Sequence, residues 1–266
     1  MPGLDAIAFL LLAGALLGYA GAGLLFWRNQ PGGGLCAFGA GWLFNGLTVL
    51  FNWLVSGHPP FGSMYHVLVA VALCFLPAYG YLRLTQNLAW LGTSFAFASL
   101  APLLGPLFME RDMFWRRMPA LQSPWFVPHV VAYLIAYALA TVGFVLALRA
   151  LRARRGAPDR LAPLTAGVDA VTRLAFPFMT FGLLSGALWA ETAWGRYWSW
   201  DAKETWALIM WLLYAAYFHC RRSPALSAAY SPCRICSSTR RSSWSVAAGT
   251  SAVYCTSTAP ELMPHL

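Results

Sequence analysis

Residues 189–222 read WAETAWGRYWSWDAKETWALIMWLLYAAYFHCRR. Six tryptophans fall here, at 189, 194, 198, 200, 206 and 211, beside the acids Glu191, Asp201 and Glu204 and the bases Arg196, Lys203, Arg221 and Arg222. The first half is polar and aromatic, and it joins hydrophobic segments long enough to span a bilayer. That alternation continues along the chain and sets its class. Of 266 residues, 59% are hydrophobic and 10% are charged, whereas a soluble domain carries about 25% charged residues. Backbone polar groups inside a bilayer must be paired within the segment, so long apolar runs there are helices. The expected fold is all-α: a polytopic transmembrane bundle of about seven helices.

The apolar runs predict helices near 5–27, 36–55, 64–82, 88–108, 129–149, 170–190 and 205–220. Asp5 stands where a secretory signal would carry basic residues, so the first segment is expected to remain as a membrane helix. RNQPGGG at 28–34 is a turn by composition. The net charge of +9 invites a nucleic-acid reading, but its distribution argues against that partner. Arg149, Arg152, Arg154, Arg155 and Arg160 crowd one connection against Asp159 alone, as the positive-inside rule expects of a cytoplasmic loop. Threading seven helices puts Arg28, Arg83, Arg221 and Arg222 on that same side. The N-terminus and the segments 56–63, 109–128 and 191–204 then face outside. The 109–128 segment sets Arg111, Arg116 and Arg117 against Glu110 and Asp112.

Gly14, Gly18, Gly21, Gly23, Gly39 and Gly41 enrich the first two helices in small residues, which favours close helix packing in lipid. Cys36 and Cys74 sit in apolar sequence and read as small hydrophobes. After Arg222 the composition turns to Ser, Thr, Cys and Arg with no spanning run. The domain reading is a membrane domain over 1–222 and an aberrant or disordered cytoplasmic tail over 223–266. Cys233 and Cys236 form a lone CxxC there, without the second pair that a four-thiolate metal site needs.

The tryptophans at 194–206 admit two readings. An interfacial aromatic belt explains rings at a membrane boundary. The interleaved Gly195 and the Asp201–Lys203–Glu204 cluster suit instead a wall for a flat conjugated ligand with a polar edge, for which haem is the leading candidate. His129 opens the fifth helix on the same outer face. It is either an axial ligand to haem iron or an interfacial hydrogen-bonding group. His219, near the inner end of the seventh helix, either has a functional role at depth or snorkels with Arg221. His58 and His66 are weaker ligand candidates, and His265 in the tail is not one. A transporter would show matched broken helices, and an electron-transfer subunit would pair axial histidines on facing helices. Neither pattern is visible.

WGRYWSWDAKETWALIMWLLYAAYFHCR at 194–221 closely resembles the tryptophan-rich signature of the CcsA/ResC family of cytochrome c biogenesis proteins, within the wider haem-handling superfamily. SGHPPFGSMYHVL at 56–68 and LQSPWFVPHVVAYLIAYA at 121–138 resemble two further family segments, although the usual Glu-containing step within the first is here Tyr65–His66–Val67. The resemblance implies a component of a cytochrome c haem lyase (synthetase)-type complex. Such a component presents haem b on the outer face of a bacterial inner membrane, with a ResB-like partner, to apocytochrome c carrying a CxxCH motif. It implies His129 as external axial ligand and His219 as intramembrane haem ligand. Trp194, Trp198, Trp200 and Asp201 would form the haem-presenting loop, where Asp201 orients the loop or accepts a hydrogen bond. Arg196 or Lys203 would meet a haem propionate. The family continues with a further helix preceded by a second external histidine. Residues 223–266 match neither, which is the pattern of a frameshift or a truncation.

Overall fold

The computed structural model describes residues 2–57, 59–109 and 119–222. Nine α-helices follow one another among these residues: α1 Pro2–Trp27, α2 Pro31–Ser56, α3 Met64–Leu73, α4 Phe75–Gln86, α5 Gly92–Ala98, α6 Leu100–Leu104, α7 Phe126–Gly156, α8 Leu161–Trp194 and α9 Ala202–Arg222. Six stretches among the described residues are long and apolar enough to cross a membrane: Leu4–Trp27, Pro31–Ser56, Met64–Gln86, Ala89–Leu107, Phe126–Gly156 and Pro158–Trp194. The chain is therefore a polytopic helical membrane protein. The seventh expected segment is also a helix, α9, but Lys203, Glu204, His219 and Arg221 make it less apolar than the other six. Residues Met1–Tyr217 form one compact unit, and the chain from Phe218 onward groups as a second.

Packing explains the local departures from straight spans. Pro77 has no N–H to offer the carbonyl of Leu73, four residues back. The indole Nε1 of Trp42 donates to that carbonyl instead, at 2.9 Å, and the third span divides there into α3 and α4, with Cys74 between them. The fourth span is likewise divided at Ser99, three residues before Pro102. Large side chains such as Tyr19, Phe38, Tyr79, Phe95 and Leu139 are fully buried, while Leu10, Leu17, Leu54 and Leu84 project outward. That is the arrangement a bilayer solvent requires. The α1–α2 crossing is close, because a Cβ on Gly18 would lie 2.4 Å from the Cα of Gly41. The buried Asn45 ties three helices together: its Nδ2 donates to Val69 O at 3.2 Å and to Tyr19 Oη at 3.3 Å.

The helix ends described within Met1–Tyr217 alternate as the threading expects. Asp5, Tyr65 and Pro106 line one small cavity, so the starts of α1 and α3 share a face with the end of the fourth span. Val67 lines a second cavity with His129, Trp194 and Ala202, which puts the starts of α7 and α9 and the end of α8 on that face too. Arg28, Arg83 and the Arg149–Arg160 group sit at the opposite ends of their helices. The expected basic loop is not a loop, however. Arg149, Arg152, Arg154 and Arg155 belong to the last turns of α7, and only Ala157 and a 3-10 turn at Pro158–Arg160 separate α7 from α8. Arginine is a good helix former with an apolar stem, so the helix runs on past its apolar run. Arg149 also reaches into the bundle, donating to Ser94 Oγ at 2.6 Å. His58, residues 110–118 with their charges, and the whole tail 223–266, including Cys233, Cys236 and His265, lie outside the described residues.

Candidate functional site

A cavity of about 680 Å³ opens between α7, α8 and the first two turns of α9. Its origin is a difference in packing along α9. Lower down, Trp211 Nε1 donates to Thr180 Oγ1 at 2.9 Å and its ring stacks on Phe176 at 5.5 Å. One and a half turns further on, Tyr217 donates its hydroxyl proton to Asp169. Above Trp211 the α9 residues Met210, Ala207, Trp206 and Ala202 line open space rather than α8 itself. The volume falls in the range of about 300–1,000 Å³ usual for organic ligand and cofactor sites.

His129, in the second turn of α7, forms part of the wall. Its Nδ1 lies 2.8 Å from the carbonyl oxygen of Gly182 on α8. A carbonyl can only accept, so Nδ1 carries the proton and Nε2 of the neutral ring keeps its lone pair. The same carbonyl also receives Ser185 Oγ at 3.3 Å. The imidazole stacks on Trp189, with centroids 5.6 Å apart and planes at 23°, and meets the edge of Tyr133 at 5.1 Å. Tyr133 in turn stacks on Tyr137 at 5.4 Å. His129, Tyr133 and Tyr137 are spaced four apart and share one face of α7.

The loop over the cavity is short and tightly held. Gly195 ends α8 in the left-handed conformation, with φ 71°, and its N–H returns to Glu191 O. Trp200 adopts φ 60°, a region non-glycine residues rarely enter. The start of α9 fixes it there. Asp201 Oδ1 accepts the backbone N–H of Glu204 at 2.8 Å, while Glu204 reaches back to the N–H of Ser199 at 2.7 Å and to its hydroxyl at 3.1 Å. Asp201 is thus the N-cap of α9, and Glu204, three positions later, ties the helix start to Ser199 two residues before the cap. Trp198 packs edge-on to Trp200 at 5.7 Å, and its indole N–H is buried without a hydrogen-bond partner among the described residues.

Of the residues singled out from sequence, His129, Trp194, Trp198, Asp201 and Lys203 come together on this one cavity. Arg196 and Trp200 are in the loop but not among the lining residues; Trp200 is 70% exposed. His219 is exposed in the last turn of α9 and does not line the cavity. His66 is buried at the start of α3, where its Nδ1 is 2.7 Å from Ser63 Oγ, the capping side chain of that helix. Tyr133, Gly182 and Gly186 were not anticipated as part of the site, whereas Trp189 belongs to the tryptophan-rich stretch. The four-residue spacing of His129, Tyr133 and Tyr137, matched by Gly182 and Gly186 on α8, was the available signal.

A family model described as "Cytochrome C assembly protein" matches residues 41–231. The chain is 37% identical over 190 residues to the cytochrome c biogenesis protein CcsA of Chlamydomonas reinhardtii, covering 66% of this chain and 53% of that protein. It is 31% identical over 236 residues to the CcsA of Chlorella vulgaris, covering 71% of this chain and 73% of that one. Identity to the CcsA of the cyanobacterium Parasynechococcus marenigrum is 34% over 215 residues, with 66% and 69% covered.

Proposed function

The chain belongs to the cytochrome c assembly protein family, and from that premise we propose that the cavity holds haem for delivery to apocytochrome c. The observation that supports this most is the state of His129. Its proton is committed to Gly182 O on Nδ1, so Nε2 is the nitrogen left for iron, in a residue that lines a cavity of suitable size. Trp189, Trp194 and Trp198 offer flat apolar surface, and the buried Trp198 N–H offers a donor to a ligand oxygen. Lys203 on the rim, with Arg196 in the same loop, is the cation for a propionate. Asp201 acts through the loop, since its carboxylate caps α9 and would repel an ionised propionate.

Haem is here the cargo, and b-type haem is the form we assign to it. The thioether chemistry belongs to its vinyl groups and to the cysteines of a CxxCH motif in the client; the protein supplies position and ligation. A ResB-like protein is the expected partner. We read the basic ends of α1, α4 and α7 as the inner ends, which supports an outward-facing cavity, and the membrane as a bacterial inner membrane. His219 is read as a separate intramembrane haem contact, and residues 1–222 as the assembly domain. His129→Ala, purified with the partner at matched abundance, is expected to retain less haem than the parent. Equal haem content would contradict the ligand assignment.

A further inference from the structure

His129 is placed by α8 as much as by its own helix. An ideal Cβ on Gly186 would stand 2.6 Å from both Cε1 and Nδ1 of the His129 ring, and the third nearest atom is His129 Cγ at 3.7 Å. One turn earlier, a Cβ on Gly182 would stand 2.9 Å from Cδ2 and Cε2 of Tyr133. Two bare patches on α8 thus receive two rings that are one turn apart on α7. The imidazole lies against Gly186, stacks on Trp189, meets Tyr133 at its edge and gives its Nδ1 proton to Gly182 O. Carbon atoms in contact sit about 3.5–4.0 Å apart, so any side chain at 186 must push the ring away by roughly an ångström. The 2.8 Å bond to Gly182 does not survive such a shift, and with it goes the constraint that leaves Nε2 unprotonated.

Resting on the haem reading above, we infer that Gly186 and Gly182 are positioning residues for His129: bare backbone at 186 and the carbonyl at 182 seat the imidazole and select the nitrogen offered to the cavity. The seat acts through the histidine and touches no ligand itself. Outer-shell partners of metal-binding histidines carry about 10- to 100-fold of metal affinity, and haem retention should fall on that scale when the seat is filled.

The test uses the full chain with its membrane partner and four variants: Gly186→Ala, His129→Ala, the double variant, and Gly143→Ala as a control. Gly143 lies in the same α7–α8 interface, but its added Cβ would meet Val171 at an ordinary 3.8 Å. Haem retained per protein and membrane abundance are both measured. G186A should lose haem about as H129A does, the double variant should lose no more than H129A alone, and G143A should keep its haem. Should G186A fail to accumulate, the double variant should restore abundance, because the three atoms nearest to the new methyl all belong to His129. Multiplying losses in the double variant, or abundance that the double variant does not restore, would overturn the inference. Two failures are distinguishable. H129A that keeps its haem overturns the haem reading itself, whereas haem loss in H129A with none in G186A overturns only the seat.

Discussion

From sequence Asp201 either orients the loop or accepts a hydrogen bond. Its carboxylate accepts the Glu204 N–H and starts α9, while Glu204 closes the loop back onto Ser199. Asparagine caps a helix as well as aspartate does, and alanine loses about 0.5–2 kcal/mol. Asp201→Asn should therefore match the parent in thermal unfolding of the detergent-solubilised protein, and Asp201→Ala should fall by about that amount. Haem retention should follow the same order. An Asn variant as impaired as the Ala variant would show that the negative charge, not the cap, is what matters. The cap was legible in the D-x-x-E spacing of 201–204, and orienting the loop was one of two roles read for Asp201. His129 was legible as a candidate, because a histidine opening an apolar run on the outer face reads as either an axial ligand or an interfacial hydrogen-bonding group. Gly182 and Gly186 were not, since a glycine's use depends on which side chain crosses it, and only the α7–α8 pairing shows that.

Among the elements, the α1–α2 pair shows how far small-residue patterns carry. The glycine enrichment signalled close packing, yet it did not say which glycines touch. Gly18 meets the backbone of Gly41, whereas nothing lies within 4 Å of a Cβ on Gly21 or Gly39. Gly18→Ala should cost about 1–3 kcal/mol, as overpacking does. Gly21→Ala should leave stability unchanged or raise it by up to about 1 kcal/mol through helix propensity. Thermal unfolding of the two variants side by side checks the contrast, and equal melting would remove Gly18 from the interface. The helix breaks had a readable cause in Pro77 and Pro102, but hydropathy averages over a proline and reports one span. It likewise ends a helix where the apolar run ends, which is why the arginines of α7 looked like a loop.

For the whole molecule, the antiparallel threading puts the cavity and the basic helix ends on opposite faces. By the positive-inside rule we read the arginine-bearing face as the inner one. In a background without native cysteines, Arg196→Cys should label with a membrane-impermeant reagent in intact cells, and Gly156→Cys only after permeabilisation. The reverse pattern would invert the topology and put the cavity on the cytoplasmic side. Seven apolar segments and their alternation were legible because a bilayer leaves the backbone few options. The cavity itself was not, because it arises where α9 parts from α8 above Trp211, a matter of side-chain fit.

Free imidazole offered to His129→Ala separates iron ligation by this side chain from a packing role. Removing the side chain leaves room for an imidazole beside Trp189 and Gly182, so an exogenous ring can occupy the vacated place. The purified variant with its partner is expected to lose haem and its histidine-ligated absorption spectrum, and imidazole is expected to restore both in a concentration-dependent way. A variant that loses haem which imidazole cannot restore would reduce His129 to a packing residue. A variant that keeps haem with an unchanged spectrum would contradict the account outright.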